Sequence, residues 1–182
     1  MTDSLQKKEI FQDVFLITCK KYNDKRGYFI ESYNSEAFAS INVNNLFVQD
    51  NLSFSLKAGT IRGLHFQKGS HGQSKLLKVI SGSILDIFVD IRQESRNFGK
   101  YFSYNLDTNS GSLLIPKGFA HGFCSLQDNT LISYKVDNFY NKESESGIVW
   151  NDPDLNIKWP KFKNFVISEK DKELLSLKEL IK

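Results

Sequence analysis

Residues 75–91, KLLKVISGSILDIFVDI, constrain the fold more than any other stretch of the chain. Two apolar runs flank Ser81-Gly82-Ser83, and the second keeps a period of two. Leu85, Ile87, Val89 and Ile91 share one face, while Ile84, Asp86, Phe88 and Asp90 share the other. That period belongs to a β-strand, and the Ser-Gly-Ser interruption predicts a short hairpin. GSLLIPKGFAHGFCSL and NTLISYKVDNFY supply further short strands, each bounded by turn residues. Short strands with turns roughly every ten residues predict an antiparallel sandwich or barrel. The 15 phenylalanines and 3 prolines fit an aromatic-rich β core.

The period changes only near the C-terminus. In SEKDKELLSLKELIK the residues Leu174, Leu177, Leu180 and Ile181 follow helical spacing. Ser168 and Asp171, three residues apart, resemble a capping box at the start of that helix. The expected organisation is a single domain over residues 1–182, with a β-core from about 10 to 160 and a helical segment from about 168 to 182. No solenoid-like repeat and no Pro-rich or Gly/Ser-rich linker divides it.

Composition narrows the partners. With 40% hydrophobic and 25% charged residues, the 182-residue chain reads as a folded domain rather than a disordered one. A net charge of +3 with no basic run argues against nucleic acid, although a few placed cations suffice for a small anion. No apolar stretch approaches the roughly 18 residues of a membrane span. The opening MTDSLQKKEIFQD lacks the apolar segment of a secretory signal. Cys19 and Cys124 stand far apart and form no CxxC pair, which reads as two free thiols of a cytoplasmic protein.

Several polar residues fit a plain core badly. GTIRGLHFQ, residues 59–67, puts His65 on a strand face with Ile61, Gly63 and Gln67. FVQDNLS aligns Phe47, Gln49 and Asn51 on one face. Lys75 shares a face with Leu77 and Val79, His121 sits in the turn-rich LIPKGFAHGF, and Tyr134 lies within LISYKV. Each has an ordinary structural explanation: a hydrogen-bonded core histidine, a solvated lysine at a strand end, a packing tyrosine. A metal centre is a poor alternative. Of the three histidines, His65, His71 and His121, none has a partner at i+2 or i+4 on a shared face. Metal-binding cupin barrels usually carry a His-x-His pair, and the second position of such a pair is Gln67 here. Acid–base chemistry at carbon suits the residue types better. Histidine ionises near pH 6.5 and tyrosine near 10, and a lysine can stabilise an oxyanion. Spacing alone does not show that these groups converge.

Taken together, DKRGYFIESYN, FVQDNLS, IRGLHFQ, KLLKVISGSILDIFVDIR, LIPKGFAHGF, YKVDNFY, GIVWNDPDLNIKWP and SEKD resemble the dTDP-4-dehydrorhamnose 3,5-epimerase family over nearly the whole chain. The resemblance implies a cupin-like antiparallel β-barrel or jelly roll, a homodimer, and catalysis without metal or organic cofactor. It implies His65 as the base with Asp171 as its carboxylate partner, Tyr134 as the acid on the opposite side of the sugar, and Lys75 as the stabiliser of an enolate. Arg62 and His121 would line the sugar–diphosphate end, with Arg26, Phe29, Glu31, Gln49, Asn51 and Glu145 completing the ligand pocket. Asp171 keeps a rival role as a helix-capping residue. Strict alternation sets Arg62 on the face opposite His65, so a bulge is expected at Gly63. Two segments depart from the family's pattern: KGSHGQSK after the His65 strand, and Tyr140-Asn141-Lys142 where a Tyr-x-Pro is usual. Both bear on the nucleotide base and the sugar. An epimerase acting at C3 alone, or on another nucleotide-linked keto-sugar, is the nearest alternative. A non-catalytic sugar-nucleotide-binding cupin and a metal-dependent cupin oxygenase are the rivals from other classes.

Overall fold

Alternation at two residues per period places one side of each strand inward, and two sheets close over the apolar sides. The computed structural model describes residues 5–181. Its six-stranded sheet contains β1 (Leu5–Phe11), β2 (Val14–Cys19), β5 (Gln49–Ser55), β7 (Lys75–Ser81), β10 (Ser112–Ile115) and β12 (Thr130–Val136), in the order β1-β2-β10-β7-β12-β5. The five-stranded sheet contains β6 (Ile61–Gln67), β8 (Ser83–Asp90), β9 (Tyr101–Asp107), β11 (Phe119–Ser125) and β13 (Glu145–Gly147), in the order β13-β6-β11-β8-β9. Every pairing within both sheets is antiparallel. A hairpin of β3 (Tyr22–Asp24) and β4 (Gly27–Phe29) stands apart as a sheet of two. This is the cupin-like jelly roll expected of the sequence.

The face assignments in 75–91 hold, but the predicted hairpin does not form. β7 lies between β10 and β12, and β8 lies between β11 and β9. Gly82, at φ +81°, turns the chain from one sheet into the other. The reason is burial on both sides. Leu77 and Val79 face Ile84 and Phe88 across the interior, while Ile87 and Val89 fill a second core on the outer side of β8. Central positions in two facing sheets satisfy all four faces, which side-by-side pairing would not.

That second core is covered by the chain after β13. Leu155, Ile157, Trp159, Leu177 and Leu180 pack there, and Leu175 bridges Ile148. The expected C-terminal helix is two short ones, α2 (Glu169–Lys172) and α3 (Leu177–Leu180). A third helix earlier in the chain, α1 (Ser35–Ser40), contributes Phe38 to a smaller core outside the six-stranded sheet. The break after α2 lets the segment follow the sheet: Val149 donates to the carbonyl of Leu175, and Leu177 N–H donates to buried Asp152. The reciprocal capping box belongs to α3, between Ser176 and Glu179. At α2 only Ser168 caps, accepting from the backbone N–H of Asp171. The Asp171 carboxylate is thereby left for another use.

Candidate active site

The inner face of the six-stranded sheet passes from apolar to polar along its strands. Val79 and Ile132 are neighbours in the core, Leu77 stands beside Tyr134, which stands beside Asn51, and Lys75 and Gln49 flank Val136 at the open end. The five-stranded sheet contributes the opposite wall. There His65 on β6 stands directly across from His121 on β11, and Glu145 on β13 pairs with Gln67. The bulge expected at Gly63 is present: Arg62 pairs with Phe123 and His65 with His121, so three residues of β6 span two of β11. Arg62 therefore shares the face of His65, and Gly63 does not. Gly63 has φ +124°, and a Cβ there would meet Gly122 Cα at 2.5 Å. Only glycine fits that approach.

Two hollows meet at His65, Lys75 and Tyr134. One, of about 320 Å³, is lined by Gln49, Asn51, Gln67, Gln73, Tyr140 and Glu145 as well. The other, of about 350 Å³, continues past Arg62, His121, Ser168, Lys170 and Asp171. Nine of the expected site residues thus border one cleft: His65, Tyr134, Asp171, Lys75, Gln49, Asn51, Arg62, His121 and Glu145.

His65 and Asp171 are bonded side chain to side chain, Nε2 to Oδ1 at 2.9 Å, although 106 residues separate them. The second oxygen of Asp171 accepts from the backbone N–H of Gly63 at 3.0 Å. Burial raises the Asp171 pKa, but the hydrogen bonds from His65 and Gly63 outweigh it and hold the carboxyl below its ordinary value. An ionised acceptor at Nε2 keeps the proton there and leaves Nδ1 free as a base. Asp171 thus serves His65, and the capping role falls to Ser168.

Tyr134, on the facing wall, is pushed above its ordinary pKa mainly by burial, with Arg62 opposing and Glu145 adding to the shift. It is a phenol, hence a proton donor, at neutral pH. Lys75 donates from Nζ to the carbonyl of His65 at 3.2 Å. Burial lowers its pKa to about 8, against the opposing charge of Asp86. His121 is 7% exposed and bonded through Nε2 to Asp86 Oδ2 at 2.9 Å. It forms the floor of the cleft rather than a mobile wall.

Three expected ligand residues stand elsewhere. Arg26 lies at the exposed tip of the β3–β4 hairpin, its guanidinium on Asp24. Phe29 is 69% exposed on the same hairpin, and Glu31 accepts from Asn34 beside α1. None borders the cleft of its own chain, because the hairpin pairs only with itself. Conversely, three residues outside the expected site set touch or support its members, one of them, Tyr140, from a segment that departs from the family's pattern. Lys170 bonds Glu145 at 2.6 Å, Tyr140 donates to the same Glu145 oxygen at 2.8 Å, and Asp86 supports His121. Asp86 had a visible signal, a charge between Ile84 and Phe88 on an inward face. Lys170 lay in the quoted SEKD beside Asp171.

The metal-cupin alternative finds no donor set. The Gln67 side chain is committed to the backbone N–H of Asn141 at 3.0 Å. Among the described residues no group of three or more His, Cys, Asp or Glu could hold a metal ion.

Comparison with known proteins identifies the family. The family described as dTDP-4-dehydrorhamnose 3,5-epimerase matches residues 8–179. The Escherichia coli K12 enzyme of that name is 44% identical over 94% of this chain and 93% of its own. The Bacillus anthracis dTDP-4-dehydrorhamnose 3,5-epimerase, solved with TDP and PPi bound, superimposes with a TM-score of 0.91 at 43% identity, covering 95% of this chain and 99% of that one. The Legionella pneumophila dTDP-6-deoxy-D-glucose-3,5-epimerase, solved in complex with dTDP-4-keto-L-rhamnose, gives 0.90 at 36% identity, covering 98% and 95%. On the family match and these identities, the chain belongs to the dTDP-4-dehydrorhamnose 3,5-epimerase family.

Proposed function

We infer that this protein is an isomerase that converts dTDP-4-dehydro-6-deoxy-D-glucose to dTDP-4-dehydro-L-rhamnose by inverting C3 and C5. The observation that carries the reading is that His65 and Tyr134 stand on facing sheets and border the same two hollows, with Lys75 of the Tyr134 sheet bordering both and donating to the His65 carbonyl. A ketone at C4 acidifies the hydrogens at C3 and C5, since the electron pair left by either proton is delocalised onto the carbonyl oxygen. His65 Nδ1 takes the proton, the Lys75 ammonium stabilises the enolate oxygen, and Tyr134 returns a proton to carbon from the other side. Solvent then resets the imidazolium and the phenolate. The chemistry moves protons only and needs no electron carrier or metal. Asp171 keeps the base in its tautomer, and Glu145, Gln49 and Asn51 offer acceptors and donors to hydroxyl groups. Arg62 and Lys170 supply positive charge for the diphosphate.

The active unit is read as a homodimer in the cytoplasm. Edge strand β5 and the residue after it turn Leu52, Phe54 and Leu56 outward, 73%, 52% and 62% exposed, which is an apolar edge that a second copy would cover. The hairpin carrying Arg26 and Phe29, remote from the cleft of its own chain, then has a second cleft to serve. Both cysteines are free thiols, as a reducing compartment allows.

The test is proton NMR in heavy water with several nucleotide-linked 4-keto-6-deoxy sugars, with and without a strong chelator. The expected result is label at C3 and C5 and inversion at both, fastest with the dTDP sugar and unaffected by the chelator. Label at C3 alone would make the enzyme a C3 epimerase. Binding without label would make it a sugar-nucleotide-binding cupin.

A further inference from the structure

The strands that carry Lys75 and Tyr134 have a second hollow on their reverse face. Tyr134 of β12 borders the cleft, and its neighbours Ser133 and Lys135 fall on the opposite side of the sheet. Lys75 and Lys78 divide in the same way on β7. On the outer side Ser112 of β10, Lys78 of β7 and Ser133 of β12 stand in direct register, a Ser-Lys-Ser row across three adjacent strands. They border a hollow of about 270 Å³ together with Ser32, Asp50 and Lys135. Another, of about 210 Å³, meets it at Ser32, Lys78 and Ser112 and continues to Lys21 and Asn109. No residue that lines these two hollows lines the cleft.

The row is neither an apolar core nor a solvated surface. Lys78 is half-buried, and its side chain bonds only Ser32 Oγ among the described residues, at 2.7 Å. No carboxylate pairs with it there: Asp50 is taken by Lys135 at 2.7 Å. Lys21 donates to Asn109 at 2.7 Å, so three lysines and one acidic residue border the two hollows. Burial holds the Lys78 pKa below its ordinary value, Lys135 adds to this, and Cys19 and Asp50 oppose it. Ser112 is 5% exposed. Its hydroxyl, like that of Ser133, has no hydrogen-bond partner among the described residues. Ser32, having accepted from Lys78, keeps its own hydroxyl proton to give. An enclosed hydroxyl without a partner and an ammonium without a counter-ion are both costly, and here they border one hollow.

We propose that this hollow is a binding site for a phosphate group, held by the Lys78 ammonium and the hydroxyls of Ser32, Ser112 and Ser133, with Lys135 at the rim. The donors on offer come from several directions, one ammonium and three hydroxyls. A carboxylate has two oxygens in one plane and reaches fewer of them, whereas a tetrahedral oxyanion has oxygens enough for all. Its charge also supplies the counter-ion that the fold leaves out. The site shares no residue with the cleft, so it stands or falls apart from the epimerase reading.

NMR titration of the full chain tests it, with lysine labelled at Cε and Nζ and the backbone amides followed in parallel. Lys78, Ser112 and Ser133 report the hollow, while Lys75 and Lys170 report the cleft, so binding at the two is read separately. Inorganic phosphate should shift the first group saturably, with a midpoint on the order of millimolar. Sodium chloride at matched ionic strength should not. Thymidine monophosphate is the second arm: the same shifts with it mean that the hollow accepts a phosphate ester, and shifts with inorganic phosphate alone confine it to the free ion. Ser112→Ala should weaken binding about tenfold. Lys78→Met should abolish the shifts at Ser112 and Ser133, leave those of Lys75 and Lys170, and keep turnover unchanged. Shifts that grow linearly, or that chloride reproduces, are ionic screening and overturn the proposal. An unresponsive Lys78 overturns it too, and marks the ammonium as already paired, by a second copy of the chain or by Ser32 alone. Should Lys78→Met fail to fold, Ser112→Ala and Ser133→Ala that both bind phosphate as tightly as the wild type overturn it equally.

Discussion

Two histidines on neighbouring strands, directly opposite one another, each bond an aspartate through Nε2 at 2.9 Å. The bond is the same and the setting is not. The His65 side chain is 32% exposed and its aspartate arrives from α2, a separate segment laid across the sheet. The His121 side chain is 8% exposed and its aspartate stands on the adjoining strand, 0% exposed. For His121, burial lowers the pKa, and Asp86 opposes this while Lys75 adds to it. A base must reach substrate and exchange its proton with solvent, and only His65 has that access. The comparison teaches that a His–Asp pair is not a function. Exposure of the histidine, and whether its partner can be placed independently of the sheet, separate a base from a support.

The largest expected effect would break the pairs apart. His65→Asn should lower exchange of the C3 and C5 hydrogens by about 10²–10⁴-fold, the usual cost of losing a general base. The stability cost should be about 1 kcal/mol, since one partly exposed hydrogen bond is lost. His121→Leu should do the reverse in stability: it leaves the fully buried Asp86 carboxyl with no hydrogen-bond partner among the described residues, at a cost of about 2–3 kcal/mol. Urea unfolding of both variants, alongside exchange measured by NMR, checks the contrast. Equal losses of stability in the two would erase the distinction drawn between them.

How much of this contrast the sequence carried follows from the range of each interaction. Alternation in Ile84–Ile91 showed both faces of β8, a local fact of parity, whereas the bulge at Gly63 was expected only because the family resemblance implied Arg62 and His65 in one pocket while alternation set them on opposite faces. Which strands become neighbours is not local, so Ser81-Gly82-Ser83 read as a hairpin when it is a corner between sheets. The helical spacing of Leu174, Leu177 and Leu180 likewise hid a break that only the β13 side of the sheet imposes, through Leu175 on Ile148. The His65–Asp171 pair spans 106 residues. No spacing rule reaches that far, and the family resemblance supplied it. Asp86 was visible on an inward face, but its hydrogen-bond partner His121 comes from another strand.

Tyr134→Phe sharpens the comparison from the facing wall, with a smaller effect on exchange. It removes one hydroxyl and leaves the ring's packing nearly unchanged, so folding should survive. His65 can still form the enolate, and Lys75 can still stabilise it. Reprotonation then comes mainly from the side that lost the proton and restores the starting configuration. Label from heavy water should still enter the sugar within about tenfold of the wild-type rate, while inversion falls by about 10²-fold or more. NMR of the substrate and product pools, followed carbon by carbon, separates the two rates. Equal losses in both would mean that Tyr134 is not the second-face acid, and no change in either would make it a packing residue.

The smallest effect tests how the exposed histidine's partner is held. Ser168 accepts from the backbone N–H of Asp171 at 3.1 Å, and α2 has only four residues. So short a helix has little hydrogen bonding of its own, and its first turn depends on the cap. Ser168→Ala should therefore cost about 1 kcal/mol locally, without touching either histidine. Glu169 to Lys172 would fray more often, and in those moments Asp171 is withdrawn from His65 Nε2. Gly63 N–H and the Leu175–Ile148 bridge still guide the segment back, so the loss should be only a few-fold in kcat, with KM nearly unchanged. Hydrogen exchange at residues 169–172 should speed up in the same variant, while β6 and β11 keep their protection. Full activity with faster exchange in α2 would show that Asp171 need not be held continuously. A loss of activity without faster exchange would instead place Ser168, which borders the cleft, in contact with the substrate.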